Sequence, residues 1–496
     1  MAQSLHSPAL FSFRGLHPAS AKPVITTNIR QQLHATLQAR FSAARFPGIS
    51  GLRGGIWSQR RPLSSLTGRR QLFDPRFFSS NASQTTAVPA ELPVLSPPTV
   101  GIWLLASSAL VFAVIVVGGV TRLTESGLSI TEWKPVTGVL PPLSQAQWEE
   151  EFSKYKQTPE FKLMNHSMNL EEFKQIFYME WGHRVLGRII GLVFVLPLGY
   201  FALRKRLTAT MPKNLFGMAL LLGAQGALGW YMVKSGLEDS LMETPGAVPR
   251  VSQYRLAAHL GAAFVLYAGM FYTGIATLMD WRYAKTGAWA GLKGSDMQWK
   301  AILETPLVRR FARYSKALTA LVFLTALSGA FVAGLDAGLL YNEFPLMGGR
   351  LAPPADELFA PEYAKATDKS DIWWRNIFEN PTTVQFDHRC LAITTYACTT
   401  LMFLATRRPA FRATLPPLTR KMATSAFAMA NLQVLLGIST LLYLVPVPLA
   451  ALHQAGSVAL LTTLVHLVVS LRRPGAAARV WRQAMRTRQA TPASKA

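Results

Sequence analysis

From residue 99 onward the chain alternates between long uncharged apolar runs and polar connections. Thr99–Thr121 is the first run, and seven more follow near Arg184–Leu203, Asn214–Val233, Leu256–Met279, Ala317–Leu335, His388–Ala405, Met422–Leu444 and Leu449–Leu471. Runs of roughly 20 apolar residues have the length that crosses a bilayer as a helix. The pattern predicts an all-α, polytopic membrane protein with eight transmembrane helices. An even number of crossings puts both ends on one side.

The polar positions flanking these runs repeat. Glu180-Trp181-Gly182-His183-Arg184 opens the second run, and Gln385-Phe386-Asp387-His388-Arg389 opens the sixth. A further histidine sits near the start of the fourth run, His259, and of the eighth, His453. The third and seventh runs share Gln225-x-x-x-Gly229 and Gln433-x-x-x-Gly437. After the first and fifth runs come Arg122…Glu125-Ser-Gly127 and Asp336-Ala-Gly338, each followed by an aromatic-proline element and a double proline. A unit of four helices is even, so two copies cross the membrane in the same sense. The expectation is two parallel four-helix-bundle repeats, 99–280 and 317–471, unlike the inverted repeats of many transporters.

Charge assigns the sides. The formal net charge is +25, yet only 16% of residues are charged and half are hydrophobic. The basic residues avoid the apolar runs, which points away from nucleic acid. They gather in Arg204-Lys205-Arg206, in the connection 281–316, in Arg407–Lys421 and in the tail 472–496. Acids such as Glu149-Glu150-Glu151 and Asp356-Glu357 lie in the loops after helices one and five. By the positive-inside rule both ends face the mitochondrial matrix and the acidic loops face the intermembrane space. Residues 1–80 hold many arginines and serines but a single acid, Asp74, the profile of a mitochondrial transit peptide. Residues 81–98, with four prolines, read as an extended linker. The two cysteines, Cys390 and Cys398, fall in one run without metal-ligand spacing and are expected to be buried thiols.

An ionisable side chain inside a membrane helix is costly and needs a partner or a task. One histidine could serve as an interhelical hydrogen bond. Four at repeat-equivalent positions favour paired axial ligands: His183 with His259, and His388 with His453, each pair in a four-helix core of the kind that holds cofactors. Structural zinc fits poorly without cysteine or carboxylate partners. Arg184 and Arg389 directly follow ligands at the polar edge, where a guanidinium pairs with a haem propionate or simply snorkels. Arg188 and Arg122 lie near the same surface. His466 is expected to be structural and His166 a loop residue. Glu180 shares a helical face with His183, whereas the matching Gln385 cannot titrate. That divergence suggests one reactive site and one redox-only site. Asn169 and Glu172 form a candidate capping box ahead of Glu180.

With these residues in hand the sequence resembles the haem A synthases, integral membrane enzymes of cytochrome oxidase assembly, over about residues 100–470. The resemblance rests on Gly-Gly-x-Thr-Arg-Leu-Thr-x-Ser-Gly-Leu-Ser at 118–129, Glu-Trp-Gly-His-Arg-x-Leu-Gly-Arg at 180–188, Gly-Leu-Asp-Ala-Gly at 334–338, Gln-Phe-Asp-His-Arg at 385–389 and the two further histidines. It implies oxidation of the C8 methyl of haem O to a formyl group by successive hydroxylations, giving haem A for cytochrome c oxidase. It further implies haem O held by His183 and His259 beside a functional Glu180, and a permanent haem b held by His388 and His453. Haem O synthase and a ferredoxin electron partner are the company it implies; the spans themselves call for the lipid of the mitochondrial inner membrane, and a homo-oligomer is left open by the sequence. The cysteine pair that many bacterial members carry in an outer loop has no counterpart here. A dihaem transmembrane reductase is the alternative from another class, although parallel repeats would place both of its haems near one face.

Overall fold

The computed structural model describes residues 91–134, 138–238, 249–293 and 298–490. The expected transit peptide lies outside them, as does the linker up to residue 90. Among the described residues eight helices are long and apolar enough to cross a membrane. They are α1 (Pro98–Leu123), α2 (Leu170–Leu203), α3 (Met211–Gly236), α4 (Gln253–Thr286), α5 (Pro306–Gly334), α6 (Pro381–Arg407), α7 (Pro417–Leu442) and α8 (Val447–Ser470). The expected polytopic all-α fold is observed, and no strand occurs among the described residues.

Local chemistry explains where these helices begin. Six of the eight carry proline in the first or second position, where the missing N–H costs nothing and the fixed φ is already helical. α2 starts differently: the Asn169 side chain accepts from the Glu172 N–H while Glu172 reaches back to the Asn169 N–H, the anticipated capping box. The helices outrun the apolar stretches. α2 begins at Leu170, well before Arg184, and α5 begins at Pro306, before Ala317. α4 runs on to Thr286, so α4 and α5 both extend into the stretch 281–316, and His183 lies inside the continuous helix α2. Polar turns continued a helix that hydropathy alone had cut short.

The helices pack as two rings. In the first, α1 touches α2, α2 touches α3, α3 touches α4 and α4 returns to α1. The same order closes α5, α6, α7 and α8. The rings meet where α1 packs on α8, α4 on α5, and α4 on α8. α1, α4 and α8 are accordingly the most buried spans, while α3 and α7 sit outside with residues such as Phe216, Leu220, Leu432 and Leu435 exposed on the rim. Cys390 is exposed on α6 and Cys398 half-buried, so the expectation of two buried thiols is corrected for Cys390. The chain alone does not cover that face of α6, which lies on an apolar span.

Each ring carries a lid at the end where its odd-numbered helices finish. The loop after α1 includes helices Gln145–Lys156 and Pro159–Leu163, whose Trp148, Phe152 and Tyr155 bury against Phe173 and Phe177 of α2. The loop after α5 includes the helix Ile372–Glu379, which leads into α6. At the opposite end a helix at Ala476–Ala490 packs on α4, and Arg472 pairs with Asp280 at 2.5 Å. Trp481 Nε1 donates to the Pro93 carbonyl at 2.7 Å, so both ends of the described chain emerge on that side.

Candidate haem-binding sites

His183, His259, His388 and His453, on the even-numbered helices, each lie against a glycine of the preceding odd-numbered helix. A Cβ placed on Gly118 of α1 would stand 2.9 Å from His183 Cε1, and one on Gly329 of α5 would stand 3.2 Å from His388 Cε1. The corresponding distances are 3.6 Å from Gly229 of α3 to His259 and 2.8 Å from Gly437 of α7 to His453. These glycines let each imidazole lie against a helix backbone. All four sit toward the C-terminal ends of odd-numbered helices, so the rings gather at the lidded end. His183 and His259 thus share the lidded end of the first ring, and His388 and His453 that of the second.

Each histidine is half-buried, and among the described residues none of the four Nε2 atoms makes a hydrogen bond. No three His, Cys, Asp or Glu side chains converge among the described residues, so the histidines do not form a bare-ion site. Two imidazoles per ring, each with Nε2 uncommitted and backed by a glycine, fit a planar group ligated from both faces. His466, by contrast, lies edge-on to Phe271 on the far part of α8, and His166 is an exposed loop residue. Neither is brought to the pairs.

Glu180 is buried, and its bonds tie α2 to the first lid directly and through Arg184 of the same helix. Its Oε2 accepts from Ser129 Oγ at 2.7 Å and from the Ile130 N–H at 2.8 Å. Its Oε1 accepts from Arg184 at 2.6 Å, and Arg184 also donates to the carbonyls of Ile130 and Glu132. Glu180 shares a face with His183 as expected, yet its oxygens face the lid and not the ring. The second half repeats the frame with neutral chemistry. Gln385 donates to the Tyr341 carbonyl at 3.2 Å, and Arg389 donates to the carbonyls of Glu343, Pro345 and Leu346. Arg188 donates to the Lys134 carbonyl at 2.8 Å. Arg122 pairs with Asp336 of the other half at 2.9 Å, where Arg250 joins it. The four arginines thus hold lid backbone or a partner carboxylate. A buried Glu160 behind the first lid is pushed up to about 8, first by burial and further by the charges of Glu180 and Glu125.

Ser129 and the four glycines were not singled out as site residues from the sequence. Gly118 and Ser129 both stand in the 118–129 motif, but their contacts run to other elements, and spacing along one helix does not reveal those.

The profile of the cytochrome oxidase assembly protein family matches residues 101–465. The chain belongs to this family. Within it, the chain is 47% identical to the Heme A synthase COX15 of Saccharomyces cerevisiae, over 82% of this chain and 81% of that one. It is 48% identical to the Heme A synthase COX15 of Homo sapiens, over 75% of this chain and 83% of that one. The Heme A synthase-mitochondrial ferredoxin fusion protein of Schizosaccharomyces pombe is 47% identical over 81% of this chain and 64% of its own length. The matched region of the family takes in α1 and both histidine pairs.

Proposed function

We propose that this chain is a haem A synthase that oxidises the C8 methyl of haem O to the formyl group of haem A by successive hydroxylations. In this reading His183 and His259 ligate haem O as substrate, and His388 and His453 ligate a resident haem b that relays electrons. The observation that carries it is the duplicated, glycine-backed histidine pair with Glu180 in the first half where the second has Gln385, in a chain 47% identical to a named haem A synthase. When bound, the haem groups supply iron-centred redox chemistry. The chain supplies the rest. Its lid loops and apolar helices exclude water, and Glu180, fixed by Ser129, Ile130 and Arg184, takes up protons released as the methyl is oxidised. Gln385, unable to titrate, leaves the second pair without that capacity. Arg184, Arg389, Arg122 and Arg188 sit where propionates reach the polar edge, and their lid bonds position that edge.

The same reading places the protein in the mitochondrial inner membrane with both termini in the matrix, supported by the basic connections on the side opposite the lids. A ferredoxin is the proposed electron partner, supported by the fused relative. The deciding experiment is to delete the protein from its source organism and extract the haems. Haem O accumulating while haem A disappears supports the assignment. Persistent haem A with loss of a transmembrane reductase activity would overturn it in favour of a dihaem electron carrier.

The glycine contacts give a graded test of the ligand assignment. Gly437→Ala and Gly118→Ala bring a methyl within 2.8 and 2.9 Å of a ligand ring and should displace it, at a cost of about 1–3 kcal/mol. Gly229→Ala, at 3.6 Å, meets only ordinary contact. Haem-to-protein ratios of the purified variants should fall for the first two and stay near wild type for the third.

A further inference from the structure

The two pairs differ behind their rings. His388 Nδ1 lies 2.7 Å from Ser328 Oγ, and the Ser328 hydroxyl is itself 2.7 Å from the Thr325 carbonyl, one turn back on α5. A hydroxyl has one proton. If Ser328 directed it at His388, two oxygens would face each other at 2.7 Å with nothing between them, so the proton goes to the Thr325 carbonyl. Ser328 can then only accept, and Nδ1 must carry the hydrogen. This fixes the tautomer in which the Nε2 lone pair is free to ligate. His453 meets a different neighbour: Gln433 Nε2 lies 3.1 Å from its Nδ1 and also donates to the His453 carbonyl, and an amide nitrogen cannot accept as Ser328 does.

The first pair has neither contact. Its Nδ1 atoms, on His183 and His259, are buried and without a hydrogen-bond partner among the described residues. The residue before the backing glycine is Val117 where the second half has Ser328. Gln225, the counterpart of Gln433, bonds the His259 carbonyl at 3.0 Å and leaves the ring alone.

Building on the proposed haem sites, we infer that Ser328 is a positioning residue that makes the His388–His453 site retain its haem, and that Val117 opposite His183 keeps the first site releasing. Partners of this kind orient a ligating imidazole and make it a stronger donor, and losing one typically costs about 10–100-fold in affinity. A substrate site must let product go, whereas a relay site must not.

The test uses the full-length protein purified in detergent, with haem transfer to excess apomyoglobin and a redox titration as readouts. Ser328→Ala should release the resident haem at least ~10-fold faster. It should also raise that haem's midpoint potential, because a weaker donor stabilises ferric iron less. Ser328→Thr, which keeps the hydroxyl, should restore both, and Val117→Ser should slow release from the first site. Circular dichroism separates these effects from unfolding. Unchanged release and potential in Ser328→Ala would overturn the inference while leaving the ligand assignment intact. If His388→Ala also keeps its low-spin haem, the assignment itself fails.

Discussion

Glu180→Gln should abolish haem A while leaving the haem sites loaded. Glutamine keeps the volume and can still accept from Ser129 and the Ile130 N–H through its carbonyl oxygen; Arg184 loses its carboxylate partner but keeps its bonds to the Ile130 and Glu132 carbonyls, so the lid is loosened and still tethered. Glutamine cannot take up a proton, and it turns the reactive half into a chemical copy of the half carrying Gln385. Removing a positioned general acid or base typically lowers rate about 10²–10⁴-fold. The measurement is the ratio of haem O to haem A extracted from cells that carry only the variant, together with the haem content of the purified protein. Haem O should dominate at normal haem loading. Normal haem A would remove Glu180 from the chemistry and leave it a lid anchor.

Arg184→Met should damage the first lid far more than Arg389→Met damages the second. Arg184 joins a nearly buried carboxylate: the side chains of Glu180 and Arg184 are 4% and 20% exposed. Removing one member of such a pair strands a buried charge, a loss of about 3–5 kcal/mol. Arg389 donates to three carbonyls and Arg184 to two, so those losses largely offset, and Arg389 makes no ion pair whose loss would strand a buried opposite charge. Limited proteolysis of the loop between α1 and α2, in Arg184→Met against Arg389→Met, reads the difference directly. Equal protection of that loop in both variants would mean that the Glu180–Arg184 pair does not hold the lid. The double variant Glu180→Gln/Arg184→Met should recover part of the loss, since no isolated charge remains.

The number of spans and the histidines could be read from the chain because each left a strong local mark: apolar runs of bilayer length, and a motif that occurs twice. The extent of the helices could not. α2 reaches back to Leu170 through polar turns that hydropathy scores as loop, and only the Asn169–Glu172 box hinted at its true start. α5 likewise begins with a basic, proline-led segment at Pro306. The glycine backing of each imidazole and the contrast between Val117 and Ser328 were out of reach for a different reason. They are contacts between helices, and a periodicity argument along one helix says nothing about which residue of another it meets. The direction of Glu180 is a third case. Spacing placed it on the face of His183, but donors in the lid decided where its oxygens point.

The two rings meet in a reciprocal way. α1 lies on α8 and α5 lies on α4, so each contact is answered by its counterpart with the halves exchanged, and α4 meets α8 between them. That is the pattern of an isologous dimer, in which one surface recognises itself. Two identical four-helix chains presenting this surface would close on each other as a homodimer. One contact departs from that symmetry. Gln454, next to His453, packs onto Gly119 and donates to the Ile115 carbonyl of α1, whereas the counterpart residues Leu260 and Ala330 lack the groups to answer it. A symmetric dimer would have had to make that contact twice or not at all.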